Sequence, residues 1–150
     1  SIAPHFYFIL FVPLVHRCLP ENWTYPLIQP KLIEKYLQVK NNSIIGATVT
    51  VTVYRPLGSY HPEYKDMYYP INYGDIEGVM ALDGEEQDAY ILGVNDPVKK
   101  FTGKIIAIVR RKDDIEEKWV VVPDGMTFSK EEIRRQIHFQ KQYFDSEIVM

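Results

Sequence analysis

Residues 48–53 read Thr-Val-Thr-Val-Thr-Val, six β-branched residues alternating strictly between polar and apolar. Two heavy atoms on each Cβ stiffen χ1 and lower helix propensity, and a period of two puts the valines on one face and the threonines on the other. A half-buried strand satisfies both demands, so the rest of the chain must supply a sheet for it to join. Residues 76–82, 89–94, 104–111 and 119–122 read as further strands, and Pro70 keeps residues 68–73 extended rather than helical. Asp83-Gly84-Glu85-Glu86-Gln87 forms the turn between the second and third strands, with Asp88 opening the third. Asp113-Asp114-Ile115-Glu116-Glu117 joins the last two. Ser129 and Glu132 make a capping box, and Ile133, Ile137 and Phe144 follow at helical spacing. The expected fold is mainly β, a small, partly closed OB-like barrel with a C-terminal helix.

The 150 residues with 46% apolar content suit one globular domain with a core, placed at residues 44–150 and preceded by an N-terminal extension over residues 1–43. Residues 6–15, Phe-Tyr-Phe-Ile-Leu-Phe-Val-Pro-Leu-Val, are shorter than the roughly 20 residues a bilayer-spanning helix needs. No Lys or Arg precedes them and no small-residue cleavage pattern closely follows, so neither a membrane span nor a signal peptide is expected. The run is expected to pack on the body or on another copy of the chain, a route to self-association. Asn22-Trp23-Thr24 matches a glycosylation sequon without any other sign of secretion. Pro30 opens a short helical pattern with Leu32, Ile33, Tyr36 and Leu37 on one face, and no activity is assigned to it. The single Cys18 excludes an internal disulfide and a Cys-rich zinc site, and fits a reducing, cytoplasmic setting. Net charge is −3, and residues 44–150 carry 18 acids against 13 bases. Binding to a nucleic-acid backbone calls for a basic face, so no nucleic-acid partner is expected.

The acids fall in a pattern. If the strands run up and down in order, the two acidic turns sit at the same end of the barrel. That end would hold Asp83, Glu85, Asp88, Asp113, Asp114, Glu116 and Glu117. Acidic turns are often merely solvated. If these carboxylates converge, each pair about 4 Å apart repels by roughly 4 kcal/mol at an effective dielectric of 20. Such a cluster needs hard divalent counter-ions; Mg²⁺ suits carboxylates best, with Mn²⁺ the alternative, and the lack of His or Cys argues against zinc.

Tyr69-Pro70-Ile71-Asn72-Tyr73-Gly74 and Leu82-Asp83-Gly84-Glu85-Glu86-Gln87-Asp88 resemble the YPxNYG and DGDPxD signatures of the soluble (family I) inorganic pyrophosphatases. The stretch from Asp113-Asp114 through Glu116-Glu117-Lys118-Trp119 to Val122-Pro123 resembles the second acidic stretch of that family. His138-Phe139 with Tyr143 resembles its C-terminal helix motif. The order and spacings match over residues 44–147. The resemblance implies an OB-like barrel that hydrolyses pyrophosphate through a metal-activated water. It further implies that Asp83, Asp88 and Glu116 ligate Mg²⁺, that Asp113, with Asp114, holds a further ion, and that Glu85 stands in the place of the general base. Tyr73 and Tyr143 would bond phosphate oxygens, and Lys118 would support the acids or the phosphate.

Several positions depart from the family pattern. Glu85 and Glu116 are each a methylene longer than the usual Asp, Glu86 replaces Pro, and Phe144 replaces a phosphate-binding Lys. An ångström-scale misplacement at a reacting centre can cost about a hundredfold in rate. The family's early hairpin with its Lys-x-Glu and later Arg is not recognisable, which makes Arg55 and Lys65 the substitute phosphate ligands to consider. His61 and His138 have no assigned role. Two other classes fit the chain: a hydrolase of another phosphoanhydride, such as a nucleotide or short polyphosphate, and a non-catalytic OB-type binding module.

Overall fold

The computed structural model describes residues 29–112, 116–141 and 145–150. The elements in chain order are α1 (Pro30–Ile44), β1 (Thr48–Arg55), β2 (Asn72–Met80), β3 (Glu86–Ile91), β4 (Lys100–Arg111), β5 (Glu117–Val122), α2 (Lys130–Lys141) and β6 (Ser146–Val149). The sheet order is β1-β2-β3-β5-β4-β6, and an additional β1–β4 pairing closes the first five strands into a mixed barrel. The mainly β, OB-like expectation is met, and β6, four residues long, adds a strand that the sequence pattern did not signal.

Neighbour order departs from the expected up-and-down arrangement. β5 inserts between β3 and β4 and runs parallel to β3, with Ala89 opposite Trp119 and Ile91 opposite Val121. The long β4 makes this possible. Its first half, Lys100 to Lys104, pairs with β1 and closes the barrel, and its last four residues pair with β6 on the same edge. Because β3 and β5 are parallel, their N-terminal ends, each preceded by an acidic stretch of sequence, still lie together at one end.

Two packed layers follow from the strand period. Val51, Ile76, Ala89, Ile91, Ile105, Ile108, Trp119 and Val121 form one buried cluster with contributions from all five barrel strands. The opposite faces, including Tyr90, Ala107, Val109, Val120 and Val122, form a second cluster with Ile133 and Ile137 of α2 and Ile148 of β6. Ile105 and Ile108 share a cluster despite their odd separation because the β4–β5 register shifts between Ile105 and Ala107, a bulge that bends the strand. The capping box at α2 is formed: the Ser129 amide donates to Glu132 Oε2 at 2.7 Å and the Glu132 amide to Ser129 Oγ at 3.2 Å.

α1 begins at Pro30, but its inward face is rotated from the expected one. Ile33 and Leu37 are half-buried, while Leu32 and Tyr36 are 60% and 66% exposed. The helix is anchored by its C-terminal half instead, where Asn41 is buried and Ile44 packs on the barrel cluster.

Two residues of the Asn-Tyr-Gly sequence have structural duties. Buried Asn72 accepts from the amides of Leu57 and Val98 at 2.9 and 3.2 Å and donates to the Asp96 carbonyl at 2.9 Å, clasping two loops at the start of β2. Gly74 lies so near β1 that a Cβ would sit 2.0 Å from the Thr52 carbonyl oxygen.

Candidate active site

The shared end of β3 and β5 opens into a cleft of about 780 Å³. Its walls come from the end of β2, the turn of residues 81–85, the starts of β3 and β5, Tyr54 of β1, and Lys40 and Ile44 of α1. Seven described carboxylates line it: Asp75, Asp83, Glu85, Glu86, Asp88, Glu116 and Glu117. The acidic turn is built locally. Gly84 takes φ +88°, the Ala81 amide donates to the Glu85 carbonyl at 2.7 Å, and Asp83 Oδ1 accepts from the Glu85 amide at 3.0 Å. Gln87, buried between the two acidic segments, donates through Nε2 to the Glu117 carbonyl at 2.8 Å and to the Asp88 carbonyl at 3.1 Å. That side chain ties the start of β3 to the start of β5.

Asp88 is the best-held acid. Tyr54 Oη donates to its Oδ1 at 2.9 Å and Lys118 Nζ to its Oδ2 at 2.8 Å. Lys118 is buried beneath the cleft and also donates to Glu116 Oε1 at 2.7 Å and to Tyr73 Oη at 2.5 Å, so all three of its N–H groups are used. Burial works against the Lys118 charge, but Asp88 and Glu116 outweigh it and lift its pKa. Burial likewise opposes ionisation of Asp88, and Lys118 with the Tyr73 and Tyr54 hydroxyls overcomes it and lowers that carboxyl. Tyr73 is pushed well up, by burial first and by Asp88 second, and so remains a neutral hydroxyl.

Asp75 stands opposite Asp88 across the β2–β3 ladder. Burial, then a hydrogen bond and like-charge repulsion from Asp88, then Glu86, raise its carboxyl to about 7. On the far wall Glu117 is paired with Arg110 at 3.0 Å and Lys40 at 3.3 Å, and Arg110 also donates to buried Asn41 of α1 at 3.0 Å.

The expected residues thus divide. Asp83, Glu85, Asp88 and Glu116 share the cleft, with Lys118 and Tyr73 directly behind Asp88. Arg55 ends β1 with its guanidinium over the Tyr54 ring, 5.0 Å from the centroid, and its Nη1 donates to the Tyr54 carbonyl at 3.1 Å. Its Nε is buried without a hydrogen-bond partner. Neither Arg55 nor the exposed Lys65 lines the cleft. Asp113 and Tyr143, with Asp114 and Phe144, lie outside the described residues. Asp75, Tyr54, Gln87 and Lys40 were not anticipated. Pairing Asn72 with Ile91 across the hairpin carries Asp75 onto Asp88, so register was the signal for Asp75.

A hard divalent cation matches these donors in kind, since the described carboxylates bring oxygen without His or Cys, and the raised Asp75 carboxyl marks a place short of positive charge. As arranged, no three or more described His, Cys, Asp or Glu side chains gather into a group that could hold an ion.

No family model and no curated protein matches the chain. Solved structures do. An inorganic pyrophosphatase from Ehrlichia chaffeensis aligns with a TM-score of 0.54 at 20% identity, covering 69% of this chain and 85% of that one. The fold is that of the inorganic pyrophosphatases. Inorganic pyrophosphatases from Coxiella burnetii (TM-score 0.51, 17% identity, 69% and 84% covered) and Helicobacter pylori (TM-score 0.50, 16% identity, 68% and 82% covered) align over similar shares. Among the described residues no helix is long and apolar enough to cross a membrane.

Proposed function

We propose that this chain is a divergent soluble inorganic pyrophosphatase, a cytoplasmic hydrolase that cleaves pyrophosphate to two phosphates with Mg²⁺, or alternatively Mn²⁺. The observation that carries this reading is the meeting of Asp75, Asp83, Glu85, Asp88 and Glu116 from three separate segments in one cleft of this fold. Asp83, Asp88 and Glu116 would hold the metal, and Asp113 a further ion. When bound, such a metal lowers the pKa of its water and offsets the negative charge of the substrate. The chain's own groups do the rest. Lys118 and Tyr54 hold Asp88 ionised and oriented. Glu85 is the base that receives the proton of the attacking water. The Tyr73 hydroxyl, neutral and buried behind Asp88, supports that carboxylate rather than reaching substrate, and Tyr143 would be a phosphate ligand, while Arg55 and Lys65 stand off the cleft.

The test is phosphate release from pyrophosphate with Mg²⁺ and with Mn²⁺, in the wild type and in Asp88→Ala. Release by the wild type and its loss in the variant support the reading, and no release by the wild type refutes it. A second reading has its own observation. The cleft is as large as sites that take drug-sized ligands, and Tyr54, Val79, Met80 and Trp119 add apolar wall. A nucleotide or short polyphosphate would fill such a space better than pyrophosphate does, and faster turnover of one of these than of pyrophosphate would favour it.

A further inference from the structure

A phosphate anion in this cleft needs a cationic side chain with N–H groups to spare, and Lys118 has none. Its three donors already serve Asp88, Glu116 and Tyr73, and it lies 95% buried behind them. Turning one donor to a ligand would strip a buried carboxylate or hydroxyl of its partner. Among the described residues that line the cleft, Lys40 of α1 is the one other cation. It has a single acceptor there, Glu117 Oε2 at 3.3 Å, and its side chain keeps 23% of its exposure. Glu117 does not need it: Arg110 already pairs with the other carboxylate oxygen at 3.0 Å. Two cations facing one carboxylate leave one positive charge over, and that charge stands on the cleft wall. Arg110 is tied to both Glu117 and Asn41, so the lysine is the less tethered of the two cations.

Its position is set by the fold rather than by a long flexible loop. Asn41, the next residue, is buried and bonded to Arg110, and Ile44, one turn on, packs on the barrel core. The α1 segment therefore does more than precede the barrel.

We propose that Lys40 binds a phosphate group of the substrate at the cleft mouth, so that α1 completes the substrate site with the ammonium that Lys118 cannot offer. This rests on the phosphoanhydride-hydrolase reading for its ligand, and it deepens that reading by assigning a binding residue outside the two acidic stretches of sequence.

Lys40→Gln keeps a donor for Glu117 and removes the charge, and Lys40→Arg keeps the charge. The readouts are calorimetric affinity for imidodiphosphate, a non-hydrolysable analogue, in excess Mg²⁺, together with KM and kcat for pyrophosphate. Loss of one charge-assisted phosphate contact should weaken imidodiphosphate binding and raise KM about tenfold in Lys40→Gln, with kcat within about twofold. Lys40→Arg should recover most of the affinity. A melting temperature unchanged in both variants sets a structural role aside, and unaltered affinity and KM in Lys40→Gln overturn the proposal even if the wild type hydrolyses pyrophosphate. If the wild type binds imidodiphosphate through Lys40 but releases no phosphate, Lys40 stands and the hydrolase reading falls. If it neither binds nor hydrolyses, both fall.

Discussion

Lys118 Nζ lies 2.8 Å from Asp88 Oδ2 and 2.7 Å from Glu116 Oε1, joining residues from two separate acidic segments through one buried ammonium. The lysine is 6% exposed and its partners 27% and 30%, so the pair is dry on one side and wet on the other. Lys118→Met should leave two carboxylates and the Tyr73 hydroxyl facing a methyl group. Removing one partner of a fully buried pair costs about 3–5 kcal/mol, and the exposure of the two acids lowers this to about 2–3 kcal/mol. Urea unfolding at neutral pH measures it, and a loss under about 0.5 kcal/mol, within the range of an ordinary surface change, would mean that the lysine is not what holds the two segments together.

Asp75 gives the protein a pH dependence of a particular sign. Its carboxyl titrates near 7 in the folded state against 3.8 ordinarily, because burial and the Asp88 and Glu86 carboxylates disfavour its charge. Between about pH 4 and 7 the folded state therefore retains a proton that the unfolded chain has released. Stability falls as pH rises through that window and levels off above it. Asp75→Asn abolishes the titration. With a chelator present to remove divalent cations, the variant should melt higher than the wild type at pH 8, and the two should converge near pH 4. Parallel melting curves at both values would show that Asp75 is ionised without penalty.

How much of this was legible beforehand depended on range along the chain. The β-branched run of β1, the Asp-Gly turn and the Ser129–Glu132 box are local signals, and each formed where its residues stand. The gathering of acids at one end needed only alternating strand direction. The wrong neighbour order left it intact, because inserting β5 beside β3 preserves direction. What the sequence did not reveal depends on partners distant in the chain. Asp75 reads as an ordinary polar residue of a strand until hairpin register sets it against Asp88. Gln87 reads as a turn residue until the parallel pairing brings Glu117 beside it. Lys40 reads as a solvated helix charge until α1 docks on the barrel. β6 is too short to carry a period of its own.

Two glycines in the site region should respond differently to the same methyl group. A Cβ on Gly74 would lie 2.0 Å from the Thr52 carbonyl oxygen, so Gly74→Ala forces β1 and β2 apart at the strand pair that carries Asp75. The cost should be about 3 kcal/mol or more, at the upper end for overpacking. Gly84 has open space around its Cβ position but φ of +88°, so Gly84→Ala should cost only about 1–2 kcal/mol, the penalty for a left-handed L-residue. Chemical denaturation of the two variants gives the comparison, and equal costs would contradict the close approach of β1 to Gly74.

Tyr54 controls the other oxygen of Asp88. Its hydroxyl donates to Oδ1 at 2.9 Å, and its ring meets Tyr73 edge-on with centroids 5.4 Å apart. Burial and then the Asp88 charge push the Tyr54 hydroxyl above its ordinary range, so it stays a donor at every pH the folded protein would meet. Tyr54→Phe keeps the ring and its packing and deletes only the donor. One charge-assisted bond at a partly exposed carboxylate is worth about 1 kcal/mol, so the fold should survive. The consequence falls on Asp88, whose carboxyl is held low by Lys118 first and by the two tyrosine hydroxyls after it. With one of these gone its pKa rises, and the acid limb of the pH–rate profile should move toward neutrality, with reduced kcat at the plateau. Carbon NMR of the Asp88 carboxyl reads the shift directly, in the absence of substrate. An unmoved Asp88 titration would show that the Tyr54 hydroxyl has no share in setting the charge of this residue, leaving it to Lys118 and Tyr73.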